Sequence, residues 1–204
     1  MPGEHNFHQR IKEEKHRHYA QVAQRLFAMA RSAPVRGIVL GGVGAAASAV
    51  EPHLHPYLRE MVLGSAKLNP QTASSSDVTR GVLKVRREKE REWETAHVEQ
   101  LAGGLGSRWA VNGVEATLAA LSRGQVRTLL VAQGEGAPGF RCAETGRLTT
   151  VDSGCQGEGT ADPVPDAIDD AIEDALNQGC HVDVIDHDDP AVQGLAALLR
   201  FPLK

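Results

Sequence analysis

Only three of the 204 residues are cysteine, Cys142, Cys155 and Cys180. They are too few and too irregularly spaced for a disulfide framework, and such sparing use fits a reducing cytoplasm. Aromatic residues make up 4% of the chain, so any core must be built from aliphatic side chains and alanine. There is no excess of positive charge. The formal net charge is -4, with pI about 6.1, which excludes a global signal for nucleic acid and argues against DNA; an RNA contact would need a local basic face. Long apolar runs are lacking too. Gly37 to Val50 is mostly glycine and alanine and too short to span a bilayer, and the charged stretch from His5 to His18 has no signal-peptide core. A soluble protein with no membrane partner is expected. No Ser/His/Asp or Cys/His arrangement has useful spacing for nucleophilic catalysis, and Cys180 beside His181 says little by itself about reactivity.

What is present is an alternation of helical and strand patterns with 41% hydrophobic residues, enough for a substantial core. His8 to Arg31 reads as a helix with Ile11, Tyr19, Val22, Ala23, Leu26, Phe27 and Ala30 on its apolar side. Gly37 to Gly41 reads as a buried strand, and Met61 to Ala66 as the next. Asp77, as a cap, opens a second long helix to Ala102, with Val78, Val82, Val85, Trp93 and Leu101 on its buried side. Asn112 and Glu115 form a capping box for a helix through Leu121, which ends at Gly124 and feeds a strand at Val126 to Val131. A glycine-rich stretch from Gln133 to Pro163 follows. Asp162-Pro163 then starts a helix whose outer side, Asp166, Asp169, Asp170, Glu173 and Asp174, is strongly acidic. His181 to Ile185 alternates as a strand, Asp186 to Asp189 is a turn, and Leu195 to Phe201 closes the chain as a further strand. The order from Trp109 predicts an α/β sandwich with an insertion at its edge.

Three groups of residues invite chemistry. Gly42-Val43-Gly44 after a strand nearly fits a dinucleotide fingerprint, but the next strand is followed by Lys67 rather than by an acid for a ribose hydroxyl. A close-packed turn is the expected role of these glycines; a nucleotide-binding enzyme is the alternative. His16-Arg17-His18 and His53-Leu54-His55 have metal-binding spacing, yet neither has a partner cluster nearby in sequence. Cys142 to Thr145 and Cys155 to Glu158 look like the two turns of a zinc ribbon. Thr145 and Glu158 stand where the second cysteines would be, so no metal site and no cofactor is expected.

Asn112-Gly113-Val114-Glu115, Gly139-Phe140-Arg141-Cys142 and Ala197-Leu198-Leu199-Arg200-Phe201, in this order, resemble the C-terminal domain of archaeal and eukaryotic class-I release factors and of Pelota. The pattern is most similar to the bacterial archaeo-eukaryotic release factor families. Upstream, Glu14-Lys15-His16-Arg17-His18-Tyr19 is similar to the Glu-Lys-Arg-His helix of the family's middle domain. Gly37 to Gly42 and Leu54-His55-Pro56 resemble later parts of that domain.

The resemblance implies a partial RNase H-like middle domain over residues 1–85 and, over 86–204, an α/β/α sandwich with a degenerate zinc ribbon at about 134–162. It implies a translation-related, ribosome- or RNA-associated protein of bacterial type, with Lys15, His16 and Arg17 near RNA and a protein partner at the C-terminal domain. Release activity in the family resides in a Gly-Gly-Gln loop ahead of the Glu-Lys-Arg-His helix. Met1 to Phe7 leaves no room for it, and Gly41-Gly42-Val43 has no glutamine. The chain as it stands is therefore expected not to read stop codons or hydrolyse peptidyl-tRNA. A middle-domain sheet reduced to two strands leaves an open edge, and open edges seek pairing, so a homodimer or another covering chain is expected. A purely structural assembly subunit is a further alternative.

Overall fold

A computed structural model describes residues 2–186 and 191–203. They fall into two compact units, residues 1–91 and 92–204. Most of the turn expected at Asp186 to Asp189 lies outside the described residues.

In the first unit, helix α1 (Pro2–Ser32) precedes strand β1 (Ile38–Gly42), the single-turn helix α2 (Ala46–Ala49), a 3-10 turn at Glu51–His53, the short helix α3 (Pro56–Arg59) and strand β2 (Val62–Lys67). The two strands pair in parallel, Leu40 opposite Ser65 and Gly42 opposite Lys67. They form a sheet of two strands only among the described residues. The core beneath it joins Ala23 of α1 to Ile38, Leu40, Ala47, Val50, Leu54 and Leu58, with Tyr19, Leu26, Phe27 and Ala30 packed against them. Val22, expected in this stripe, is instead 39% exposed. The glycine turn is a packing device. A Cβ on Gly42 would lie 3.0 Å from the backbone nitrogen of Ala47, so glycine lets α2 close onto the strand. With α2 only four residues long, the sustained helix that a dinucleotide site requires is missing.

Helix α4 (Ser75–Gly106) runs from one unit into the other. Its start is a capping box, but with Ser74 as the cap. The Asp77 N–H donates to Ser74 Oγ at 3.2 Å and the Ser74 N–H donates to Asp77 Oδ2 at 3.0 Å. Asp77 is thus the acidic third residue of the motif rather than the cap. Val85 and Leu101 are buried as expected, whereas Val78, Val82 and Trp93 are exposed. A helix shared by two units has no single buried stripe along its length.

The second unit continues with strand β3 (Ala110–Asn112), helix α5 (Val114–Ser122) and strand β4 (Val126–Ala132), then β5 (Gly139–Cys142), β6 (Leu148–Thr149) and β7 (Ala161–Val164). Helix α6 (Ala167–Asn177), β8 (His181–Ile185) and β9 (Leu195–Leu199) complete it. The main sheet has the order β3-β9-β4-β8. Strand β4 is antiparallel to β9, with Leu129 opposite Ala197, and parallel to β8, with Leu130 opposite Asp183. Alternate residues of β4 and β9 enter two different cores, as period-two strands require. Leu129, Val131, Leu195 and Ala197 pack with α5 and α6. Leu130, Ala132, Ala196 and Leu198 pack with Leu101 and Val98 of α4. This is an α/β/α sandwich. Leu129, Leu130, Leu195 and Leu199 are at most 1% exposed, and each such burial contributes roughly 1.5–3 kcal/mol.

Two helix starts differ from the sequence expectation. Helix α5 has Gly113 as its N-cap residue, without a side-chain cap. Asn112 ends β3 instead, its Oδ1 accepting from the N–H groups of Gly113 and Gln193 at 3.0 Å each. Glu115 is occupied elsewhere, as described below. Asp162-Pro163 lies in β7, an edge strand where proline is tolerated, and α6 begins later. Its cap is Asp166, whose Oδ1 accepts from Ile168 N–H at 2.9 Å and from Ala137 N–H at 3.1 Å.

Candidate functional site

Lys15, His16 and Arg17 are all exposed on α1. The helix also brings together two motifs that lie far apart in sequence. His16 Nδ1 is 3.3 Å from His53 Nε2, their rings 5.2 Å apart. Tyr19 lies 5.8 Å from the His53 ring and Phe27 4.9 Å from that of His55. The spacing His16, Tyr19, Ala23, Phe27 follows one helix face, a signal that His-x-His spacing alone conceals. Among the described residues no group of three or more His, Cys, Asp or Glu side chains is placed to hold a metal ion.

Charge is divided between the units. Residues 1–91 carry 15 Lys and Arg against 8 Asp and Glu, a formal +7, whereas residues 92–204 carry 7 against 18, a formal -11. The near-neutral total hides a basic half and an acidic half.

The zinc-ribbon resemblance is resolved differently from the expectation of two isolated remnants. Strands β5, β6 and β7 form a small antiparallel sheet in the order β6-β5-β7. Cys142 and Cys155 are joined in a disulfide, both buried. At the other two corners, Thr145 Oγ1 donates to Glu158 Oε2 at 2.6 Å. Arg147 clamps the same carboxylate, with Nη2 2.8 Å from Oε1, and also donates to the Gly154 carbonyl. All four ribbon corners still converge, but a covalent bond and a charged hydrogen-bond network stand where a metal would. Counting cysteines could not reveal this, because one pair thirteen residues apart makes no framework pattern. Arg147 and Thr145 hold the Glu158 carboxyl below its usual range through hydrogen bonds.

The ribbon is tied to the sandwich at two points. Burial raises the Glu115 carboxyl, but hydrogen bonds from the Thr150 N–H and hydroxyl and from the Thr149 hydroxyl, with the Arg147 charge, leave it lowered overall. The Thr150 N–H donates to Glu115 Oε2 at 2.8 Å. Arg141 donates to Asp170 at 3.0 Å and to Asp174 at 3.1 Å, so half of the acidic row of α6 is internal scaffolding. Asp169 and Glu173 remain exposed. His97 Nδ1 meets Asp183 Oδ2 at 2.6 Å across α4 and β8, a contact the sequence pattern did not announce.

Residues 1–87 match the profile of bacterial archaeo-eukaryotic release factor family 10. The likeness in structure extends further along the chain. A model of ribosome-bound archaeal Pelota and ABCE1 is 18% identical over 92% of this chain and 50% of that chain, with a TM-score of 0.55. The structure of Dom34 from S. cerevisiae, a translation termination-like factor interacting with Hbs1, is 13% identical over 83% and 47% of the two chains, with a TM-score of 0.51. The C-terminal domain of a peptide chain release factor from Methanosarcina mazei is 17% identical over 65% of this chain and 98% of that one, at a TM-score of 0.48. No curated protein matches the chain in sequence. The chain spans about half the length of the Pelota and Dom34 structures it resembles. Its fold is Pelota- and release-factor-like. Among the described residues no helix is long and apolar enough to cross a membrane.

Proposed function

We propose that this chain is a non-catalytic, ribosome- or RNA-associated protein of the release-factor-like class. Its first unit contacts RNA phosphates through Lys15, His16 and Arg17, and its acidic second unit offers a surface to a protein partner. The division of charge carries this reading. A unit of formal +7 with these three residues exposed on one helix can neutralise phosphates, whereas a unit of -11 repels them. The ribosome named with archaeal Pelota and the family profile over residues 1–87 support the same class. The chain contains no Gly-Gly-Gln, so hydrolysis of peptidyl-tRNA by that loop is not part of the reading. A cytoplasmic setting belongs with this class, and in a reducing cytoplasm the Cys142–Cys155 pair would rest as two thiols. The nucleotide-binding alternative gains nothing from the closed glycine turn at Gly42. The open edge of the two-stranded sheet admits a second copy or another chain.

The test is a titration of ribosomal RNA against salt. Binding through phosphates makes log K fall linearly with log salt, by about 0.7–0.9 per phosphate. The double reversal Lys15→Glu/Arg17→Glu therefore reduces the slope by about 1.4–1.8. Salt-independent binding, or none, removes the RNA half of the proposal, and release of peptide from peptidyl-tRNA on ribosomes removes the non-catalytic half.

A further inference from the structure

The two His-x-His motifs, each without a partner cluster nearby in sequence, are partners of one another in the fold. His16 sits two turns before Ala23 on one face of α1, and Ala23 is buried in the same core as Val50 and Leu54. His53 closes the 3-10 turn between those last two residues, its N–H donating to the Val50 carbonyl at 3.0 Å. The backbone positions of both histidines are therefore set by buried neighbours and not by the rings themselves. Tyr19, one turn along α1 from His16, stands 5.8 Å from the His53 ring.

Two ring nitrogens from separate elements, His16 Nδ1 and His53 Nε2, are thus held 3.3 Å apart, with the ring planes tilted by 58°. Two nitrogen ligands of one tetrahedral ion, each about 2.0–2.1 Å from it, stand about 3.3–3.4 Å from one another. A hydrogen bond between the rings accounts for the same separation, with one N–H aimed at the other ring's lone pair. A metal ion needs both lone pairs, which two neutral imidazoles supply by a change of tautomer. The donor chemistry selects the ion. Imidazole nitrogens suit zinc(II), nickel(II) and copper(II), whereas magnesium and calcium take oxygen ligands. Lys15 and Arg17 flank His16 in sequence, but both are exposed and salt screens their repulsion.

We propose that His16 and His53 form a clip for one divalent transition-metal ion of the zinc class, which fastens α1 to the turn at Glu51–His53. Two protein ligands leave the remaining positions to water, so the clip is an open, exchangeable site rather than a closed structural one. The inference goes beyond the RNA reading. It shares His16 with that reading, whereas His53 belongs to the clip alone.

The probe is zinc chloride, titrated into the full chain without reductant, so that the Cys142–Cys155 bridge keeps its two sulfurs from the metal. Calorimetry and the imidazole nitrogen shifts of each histidine follow the titration. One zinc ion per chain is expected at micromolar concentration, with the largest shifts at His16 and His53 and a rise in melting temperature. His16→Ala and His53→Ala should each weaken binding at least about tenfold. Neither side chain belongs to the buried core, and an unchanged melting temperature without metal verifies that each variant folds. His181→Ala, which opens the other pair of imidazoles, His97 and His181, should leave binding unchanged. Magnesium chloride at the same concentration should move neither ring. No saturable binding of zinc overturns the proposal. Binding that both the His16 and the His53 variants keep, or that His181→Ala removes, also overturns it, and so does equal competition by magnesium. Because His53→Ala retains Lys15, His16 and Arg17, its binding to ribosomal RNA in the presence of a chelator reports on the RNA reading separately from this one.

Discussion

Opening the Cys142–Cys155 bond tests whether the ribbon is held covalently. The bridge closes a loop with a sequence separation of 13. The chain-entropy relation assigns about 3 kcal/mol to a loop of this length. The Thr145–Glu158–Arg147 network is untouched by reduction, so the ribbon should loosen while the sandwich persists. The perturbation is the double variant Cys142→Ala/Cys155→Ala, compared with the wild type in urea, with and without reductant. The wild type without reductant should be more stable by up to about 3 kcal/mol, reductant should remove the difference, and the variant should not respond to reductant. In non-reducing denaturant one thiol per chain, Cys180, should react, since it is the free cysteine and is buried in the native fold. Three reactive thiols, together with a urea midpoint that reductant leaves unchanged, would refute the reasoning.

Acid should loosen the same region. Glu115 and Glu158 are both held below their usual carboxyl range, so the stability they contribute is complete above the unfolded value of about 4.5 and is lost as the pH falls through their folded values. Glu115→Gln should be less stable than the wild type at neutral pH and should lose less on acidification, as thermal denaturation against pH will show. Gly139→Ala places a Cβ 2.7 Å from the Thr149 carbonyl oxygen and from Ala167 Cβ; the strain should cost about 1–3 kcal/mol in urea denaturation. Leu129→Ala, at a fully buried site, should cost about 2–5 kcal/mol by the same measurement.

The sandwich was largely legible in the residues because its signals are local. Val126 to Ala132 is apolar with little interruption, and α6 carries apolar residues at helical spacing, so β4 and α6 stand near where the pattern puts them. Strand β3 was not legible. Three residues, Ala110–Asn112, are too short for alternation to register, and their pairing partner Ala196–Leu198 lies far along the chain. Glycine-rich turns likewise gave no hint that Glu115 reaches Thr149 and Thr150, or that Arg141 spends two acids of α6. Lys15, His16 and Arg17 on α1 were readable as residues. The meeting of His16 with His53 was not, because that depends on the tertiary course of the chain between β1 and β2.

The account depends most on the exposed side chains of Lys15, His16 and Arg17 on α1. Sedimentation with purified ribosomes through a sucrose cushion tests it directly, comparing the wild type with Lys15→Glu/Arg17→Glu at low and high salt. The wild type should pellet with ribosomes at low salt and be released as salt rises, and the variant should remain largely in the supernatant. Equal pelleting of the two proteins, or no pelleting of either, would contradict it.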